Sequence, residues 1–263
     1  MRSAASPVVT LLTDFGSADY FVAAVKGVIL TINPLVSIVD ITHEIPPQDI
    51  QSAAFTLLTC YRDFPAGTIH VGVVDPGVGS SRRAIVVSAG SYYFVGPDNG
   101  LFSYVLDREP AHQVFHLTAR EYFRETPSST FHGRDVFAPV AAALSRGVKP
   151  AKLGPQIEDE VRLPSLAPAK LKDGKVEGRI IHVDHFGNCI TNLTRADLPK
   201  PIRLRVKRRV INSFRQFYTD KDGSKNEIFG IWGSAGFLEL AVNGASAAAL
   251  LKAKRGDSVT ASA

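Results

Sequence analysis

The segment Asp75-Pro76-Gly77-Val78-Gly79-Ser80-Ser81-Arg82-Arg83 follows directly on the apolar run Ile69-His70-Val71-Gly72-Val73-Val74. A buried-strand pattern that breaks into a carboxylate, two glycines and paired guanidinium groups puts charge at the C-terminal rim of a sheet, where open α/β sheets bind ligands. Asp14 ends a second apolar run, Val8 to Thr13. A carboxylate there can accept both hydroxyls of a ribose diol, or it can serve as a helix cap or loop residue. His132, in Phe131-His132-Gly133, stands just before a helical pattern, where outward-pointing amides favour anions. Asp75, Arg82 and His132 form the sharpest set of chemistry-bearing side chains in the chain.

Other chemistries find less support. Gly77 to Arg82 lacks the Lys-Ser/Thr that completes a phosphate-binding loop, and the chain has neither Gly-x-Ser-x-Gly nor His-Glu-x-x-His. His182-Val183-Asp184-His185-Phe186-Gly187-Asn188 gathers two imidazoles, a carboxylate and an amide. Strand alternation puts His182 and Asp184 on one face and His185 on the other, so no metal site is expected. Asn188 offers a donor and an acceptor together, which suits a base or amide edge. Ser234-Ala235-Gly236 reads as a tight turn opening the strand Phe237-Leu238-Glu239-Leu240.

These residues are positioned by alternating elements. The run 8–13, a helical pattern at 21, 22, 25, 28, 29 and 32, a strand at 36–40, a helix over 49–64 and a strand at 68–74 give β-α-β-α-β, which predicts a mostly parallel sheet. Short strands at 84–88 and 92–95 flank Gly90. Gly96-Pro97-Asp98-Asn99-Gly100 turns into a short helix, and 133–146 reads as an amphipathic helix closed by Gly147. Periodicity dissolves among the prolines of 151–175, which predicts a linker between an α/β domain at 1–150 and a second domain at 176–263. In the second, short β-type runs at 176–183, 203–211, 228–232, 237–242 and 258–261 predict a small antiparallel barrel or sandwich.

Composition sets outer limits. At 263 residues with 45% hydrophobic content the chain can bury a sizeable core. The net charge of +5 raises the question of polyanions. Its densest cluster, 203–209, alternates basic with apolar residues as a half-solvated strand does, and no aromatic residues interleave it for base stacking. The two cysteines, Cys60 and Cys189, suggest neither a disulfide framework nor a zinc site. No apolar stretch approaches a membrane span and no leader pattern precedes residue 8, so a cytoplasmic protein is expected.

Six motifs, in order along nearly the whole chain, resemble the S-adenosylmethionine hydrolase family, also called S-adenosylmethionine hydroxide adenosyltransferases and related to the fluorinase and chlorinase. They are Thr13-Asp14-Phe15-Gly16, Val74 to Gly79, Val95 to Gly100, Phe131 to Asp135, Phe186-Gly187-Asn188 and Gly233 to Phe237. The resemblance implies that Asp75, Arg82 and His132 are the family's catalytic triad and that Asp14 binds the ribose. It further implies that Asp184, Asn188, Ser234 and Glu239 contact the nucleoside and methionine moieties, with Val242 nearby through its backbone. An α/β domain joined to a β-barrel, a homotrimer with sites between subunits, S-adenosylmethionine as substrate, no cofactor, and neither nucleic acid nor membrane as partner are what it leads one to expect. Halogenase relatives carry a tyrosine in place of Asp75, a hydroxyl residue in place of Val78, a tryptophan near Gln48 and a longer loop before the Phe-His-Gly motif. These differences favour water over halide, leaving a halogenase or a non-catalytic binder of the same ligand as the alternatives.

Overall fold

The computed structural model describes residues 6–198, 202–219 and 226–262. The chain divides into two compact units, Met1–Ser165 and Leu166–Ala263, the division falling within residues 151–175.

The first unit runs β1 (Val8–Thr13), α1 (Phe21–Ile32), β2 (Ser37–Thr42), α2 (Ile50–Cys60), β3 (Ile69–Val73), β4 (Ala84–Ala89), β5 (Tyr92–Pro97), α3 (Ser103–Arg108), β6 (His112–His116), α4 (Ala138–Ser145) and β7 (Gln156–Ile157). Its sheet has the order β2-β1-β3-β5-β4-β6-β7. The pairings β1–β2, β1–β3 and β3–β5 are parallel; β4–β5, β4–β6 and β6–β7 are antiparallel. The sheet is therefore mixed, and the expected parallel character describes only its β2-β1-β3-β5 half. The reason is local: Ala89 pairs with Tyr92 across Gly90, at φ +57°, and so short a connection joins only antiparallel strands.

Alternation along the central strands feeds two layers. Val9, Leu11, Ile69, Val71 and Val73 pack in one core with Val25 and Ile29 of α1 and Val140, Ala141 and Leu144 of α4. On the other face His70 stacks on Phe94 with Tyr61 edge-on to both. The stretch expected to be one amphipathic helix is a five-residue π-turn, Gly133–Phe137, leading into α4. Every α4 residue from Ala138 to Leu144 is buried, because the helix packs on both α1 and the sheet. Gly147, at φ +89°, ends it as expected, its N–H reaching Leu144 O at 2.8 Å.

The second unit contains β8 (Ala169–Lys170), β9 (Val176–Val183), β10 (Cys189–Thr194), β11 (Arg203–Val206), β12 (Arg209–Ile211), β13 (Phe214–Arg215), β14 (Ile228–Trp232), β15 (Phe237–Val242), α5 (Ala247–Leu251) and β16 (Ser258–Ser262). They form one sheet, β12-β11-β16-β9-β10-β15-β14-β13 with β8 beside β9, antiparallel except for β13–β14. The sheet curls as a half-barrel, bringing β12 against β14 around Ile180, Leu193, Leu204, Leu240 and Val259. The basic run 203–211 is a hairpin rather than one strand, broken where Lys207 takes φ +53°. In β11 Leu204 and Val206 are buried, and Arg203 and Arg205 exposed.

A candidate active site in the first unit and a polar cavity in the second

Parallel strands β1 and β3 end on the same rim, so Asp14 and Asp75, which follow them, project from one edge of the sheet. Thr13 prepares the first exit: its hydroxyl meets His43 Nδ1 at 2.9 Å and accepts from Phe15 N at 3.2 Å. Asp14 Oδ2 accepts from Gln48 N at 2.8 Å, and Gln48 holds the positive φ, +64°, that aims its amide there.

The glycine segment after β3 is a compact double turn, Val78 N to Asp75 O at 3.2 Å and Ser80 N to Gly77 O at 3.1 Å. It folds Arg82 back onto Asp75. Arg82 Nε donates to both Asp75 oxygens, at 2.9 and 3.1 Å, and Nη2 donates to Oδ2. Arg82 Nη2 also meets His132 Nδ1 at 2.8 Å. Because guanidinium can only donate, that imidazole nitrogen accepts, and His132 is held neutral. Burial, followed by the Arg82 charge, holds the His132 pKa below its ordinary value, with Asp75 and Asp135 opposing. The Asp75 and Arg82 side chains are almost wholly buried, and Arg82 Nη1 is buried without a protein partner among the described residues. Arg83, next in sequence, goes elsewhere: it pairs with Asp98 and Asp159 and ties the segment around 159 to the end of β5.

A cavity of about 340 Å³ is lined by Asp14, Gln48, Asp75, Val78 and Thr130. Arg82 and His132 do not line it. The three-residue set is thus a chain: Asp75 meets the cavity, Arg82 grips Asp75, and His132 grips Arg82. The anion-favouring helix start expected beside His132 is not free, since Phe131 O takes the amides of both Arg134 and Asp135.

The second unit holds a cavity of about 960 Å³ that brings together Asp184, Asn188, Ser234, Glu239 and Val242. Asp184 Oδ1 accepts from the amides of Phe186, at 3.0 Å, and Asn188, at 2.8 Å, while Oδ2 accepts from Asn188 Nδ2 at 2.9 Å. That carboxylate fixes the turn between β9 and β10. Glu239 is buried on β15, and its Oε2 accepts from Tyr218 at 3.2 Å. Burial raises its pKa, and the Asp184 charge adds to the shift. Gly233 makes this possible, because a Cβ there would lie 1.8 Å from Glu239 Oε1. Tyr218 and Trp232 also line this cavity and escaped sequence reasoning. Trp232, the chain's one tryptophan beside the Gly233 turn, was the available signal; Tyr218 gave none. Among the described residues no group of three or more His, Cys, Asp or Glu could hold a metal ion, and no helix is long and apolar enough to cross a membrane.

A concave, carboxylate-bearing site at the C-terminal rim of an α/β sheet defines a small-molecule-binding protein. The chain belongs to the SAM hydroxide adenosyltransferase family: the model of that family's N-terminal domain matches residues 9–154 and that of its C-terminal domain residues 178–260. It is 41% identical to the (R)-S-adenosyl-L-methionine hydrolase of Salinispora arenicola, covering 97% of each chain, and 39% identical to that of Thermus thermophilus, covering 94% of this chain and 96% of the other. A fluorinase from Nocardia brasiliensis stands further off, at 29% over 96% of each. Among solved structures, an uncharacterized conserved protein from Thermotoga maritima superposes with a TM-score of 0.88 at 36% identity, over 97% of this chain and 100% of that one.

Proposed function

We propose that this protein hydrolyses S-adenosyl-L-methionine by attack of water on the ribose 5′ carbon, releasing adenosine and L-methionine. The observation that carries the reading is the Asp75–Arg82–His132 chain ending at a cavity that also presents Asp14. The relatives named (R)-S-adenosyl-L-methionine hydrolase support it, and their names point to the (R) configuration at sulfur.

A sulfonium already makes methionine a neutral leaving group, so the reaction needs no cofactor. What remains is to hold one water in line with the C5′–S bond, away from bulk solvent. Asp75 accepts a hydrogen bond from that water and so turns a lone pair toward C5′. As the C–O bond forms, the C–S electron pair stays on sulfur, and the water's proton leaves by way of Asp75 to solvent. The Arg82 fork fixes the rotamer of Asp75, and neutral His132 fixes Arg82. Asp14 receives the ribose hydroxyls. Val78 offers a halide no donor, which favours water at this cavity.

In this reading 1–150 is the α/β domain carrying the Asp-Arg-His set, 151–175 a linker and 176–263 a β-barrel domain whose Asp184, Asn188, Ser234, Glu239 and Val242 bind the nucleoside and methionine moieties. Each unit's cavity carries only part of the polar set the substrate needs. We take the working form to be a homotrimer in which one subunit's first domain faces a neighbour's second, without nucleic acid or membrane as partner. The unpaired Cys60 and Cys189 suit a reducing cytoplasm. Incubation with S-adenosylmethionine, followed by chromatography, tests the activity: equimolar adenosine and methionine are expected, and unchanged substrate would refute it. Light scattering tests assembly, where an active monomer would contradict the trimer.

A further inference from the structure

Asp135 is the most deeply buried charge among the described residues of the first unit, more so than Asp75 or Arg82, and the chemistry above gives it no task. It lies in the π-turn three residues past His132, wholly shielded from solvent. Its Oδ1 accepts from Arg134 Nε at 2.7 Å and lies 3.6 Å from Arg124 Nη1. Its Oδ2 accepts from Ser128 N at 2.9 Å and Arg134 Nη2 at 3.0 Å. Its main chain continues the pattern, with the carbonyl accepting from Arg124 N at 3.0 Å and the amide donating to Phe131 O at 3.1 Å.

All these partners lie in or beside one loop. Residues 124–131 are stapled by Asp135 at Arg124 and at Ser128, and Ser128 Oγ in turn accepts from Phe131 N at 3.1 Å. The stapled loop supplies Thr130 and Phe131 to the cavity wall that Asp75 shares. It also lies hard against the glycine turn, so close that a Cβ on Gly79 would stand 2.2 Å from Ser129 O. Both sides of the Arg82–His132 contact are therefore referred to one carboxylate. One side is the turn that carries Arg82, and the other is the π-turn that presents His132.

We propose that Asp135 is a positioning residue for the proposed hydrolysis: it locks the 124–131 loop against the glycine turn and so sets His132 at bonding distance from Arg82. A carboxylate suits the task better than a neutral group, since it satisfies several donors at once in a buried place. Burial raises its pKa, but the hydrogen bonds from Arg134 and Ser128 outweigh this and leave it lowered, so the anion persists. Turns of this π kind gather at functional sites.

The test compares Asp135→Asn and Ser128→Ala with the unmodified protein. Asp135→Asn keeps the size but loses the charge, and Ser128→Ala removes the hydroxyl that accepts from Phe131 N and hydrogen-bonds Asp135, leaving the charge in place. For Asp135→Asn the expected result is a fall in kcat of about 10- to 100-fold with KM changed less than about threefold, the signature of a misplaced group rather than lost substrate contact. Ser128→Ala is expected to lower kcat severalfold in the same manner. The second readout is the titration of the His132 ring by proton NMR, assigned through His132→Gln. The charged groups facing that ring are Arg82 and Asp75 of the glycine turn and Asp135 of its own turn. Loss of the Asp135 charge should move the midpoint to lower pH. A folded Asp135→Asn protein with kcat within twofold of normal and an unmoved midpoint overturns the proposal. If Asp135→Asn does not fold, unchanged kcat and midpoint in Ser128→Ala do the same. This inference rests on the hydrolase reading only for kcat: should the unmodified protein release no adenosine, that reading fails, and the His132 midpoint still decides the role of Asp135.

Discussion

Arg82 holds both oxygens of Asp75 through Nε, at 2.9 and 3.1 Å, while its Nη2 bridges to His132 Nδ1 at 2.8 Å. The bridge makes the three residues one mechanical unit with a single exit, the carboxylate, into the cavity. Lysine in place of Arg82 keeps the charge but cannot form the fork or the bridge. Arg82→Lys should therefore lower kcat by about 10²-fold, within the range for positioned acid–base groups, while adenosine affinity changes less than about threefold. Arg82→Met leaves a buried carboxylate unpaired and should cost about 3 kcal/mol of stability in a urea titration.

Asp14 carries the ribose contact in this account, and its Oδ2 is already steadied by the Gln48 amide. Asp14→Ala should weaken adenosine binding by about 1–3 kcal/mol, the cost of leaving polar groups unpaired on burial. Calorimetry giving an unchanged affinity would take Asp14 out of the site.

Two glycines separate backbone strain from crowding. Gly79 and Gly236 both hold φ near +80°, at +78° and +85°. A Cβ at Gly236 meets nothing within 4 Å, whereas at Gly79 it meets Ser129 O at 2.2 Å. Gly236→Ala should cost about 1 kcal/mol, and Gly79→Ala more than about 2 kcal/mol together with most of the activity. Equal losses in thermal unfolding would show that the 124–131 loop does not press on the glycine turn.

His70 sets a pH limit on stability. Burial pushes its pKa down from 6.5 to about 4, its Nδ1 bonded to Thr10 at 2.8 Å. Above about pH 6.5 neither the folded nor the unfolded chain protonates this group. As pH falls from there toward 4 the unfolded chain takes up a proton that the folded chain refuses, so stability drops, by about 3 kcal/mol over the window. His132, also lowered, adds a loss of the same sign. Denaturant unfolding at pH 7, 5.5 and 4.5 should show the decline, and His70→Gln should flatten most of it.

The two aspartates at the strand ends were legible, because an apolar run that stops at Asp states where a strand meets the rim. The closing of Arg82 and His132 on each other was not: fifty residues separate them, and only the resemblance joined them. Nor could local pattern tell which of Arg82 and Arg83 enters the site, since they are adjacent, identical in type, and each meets a carboxylate. The direction of strand pairing beyond β5 depended on a two-residue turn at Gly90, and periodicity is blind to direction. Strand β10 was missed because Cys189-Ile190-Thr191-Asn192-Leu193-Thr194 is buried on both faces and so shows little alternation. The burial of Glu239 was hidden for a similar reason, since it follows from the missing side chain at Gly233 across a turn.

The source of the new oxygen tests the account most directly. In the proposed reaction Asp75, which lines the cavity, puts a carboxylate beside the nucleophile's place, where it would repel halide and accept a hydrogen bond from water. With S-adenosylmethionine in ¹⁸O-labelled water containing high chloride or fluoride, mass spectrometry should find the label in the 5′ hydroxyl of adenosine and no 5′-halo nucleoside. A halogenated nucleoside, or ¹⁸O in methionine alone, would contradict the assignment of Asp75, Arg82 and His132.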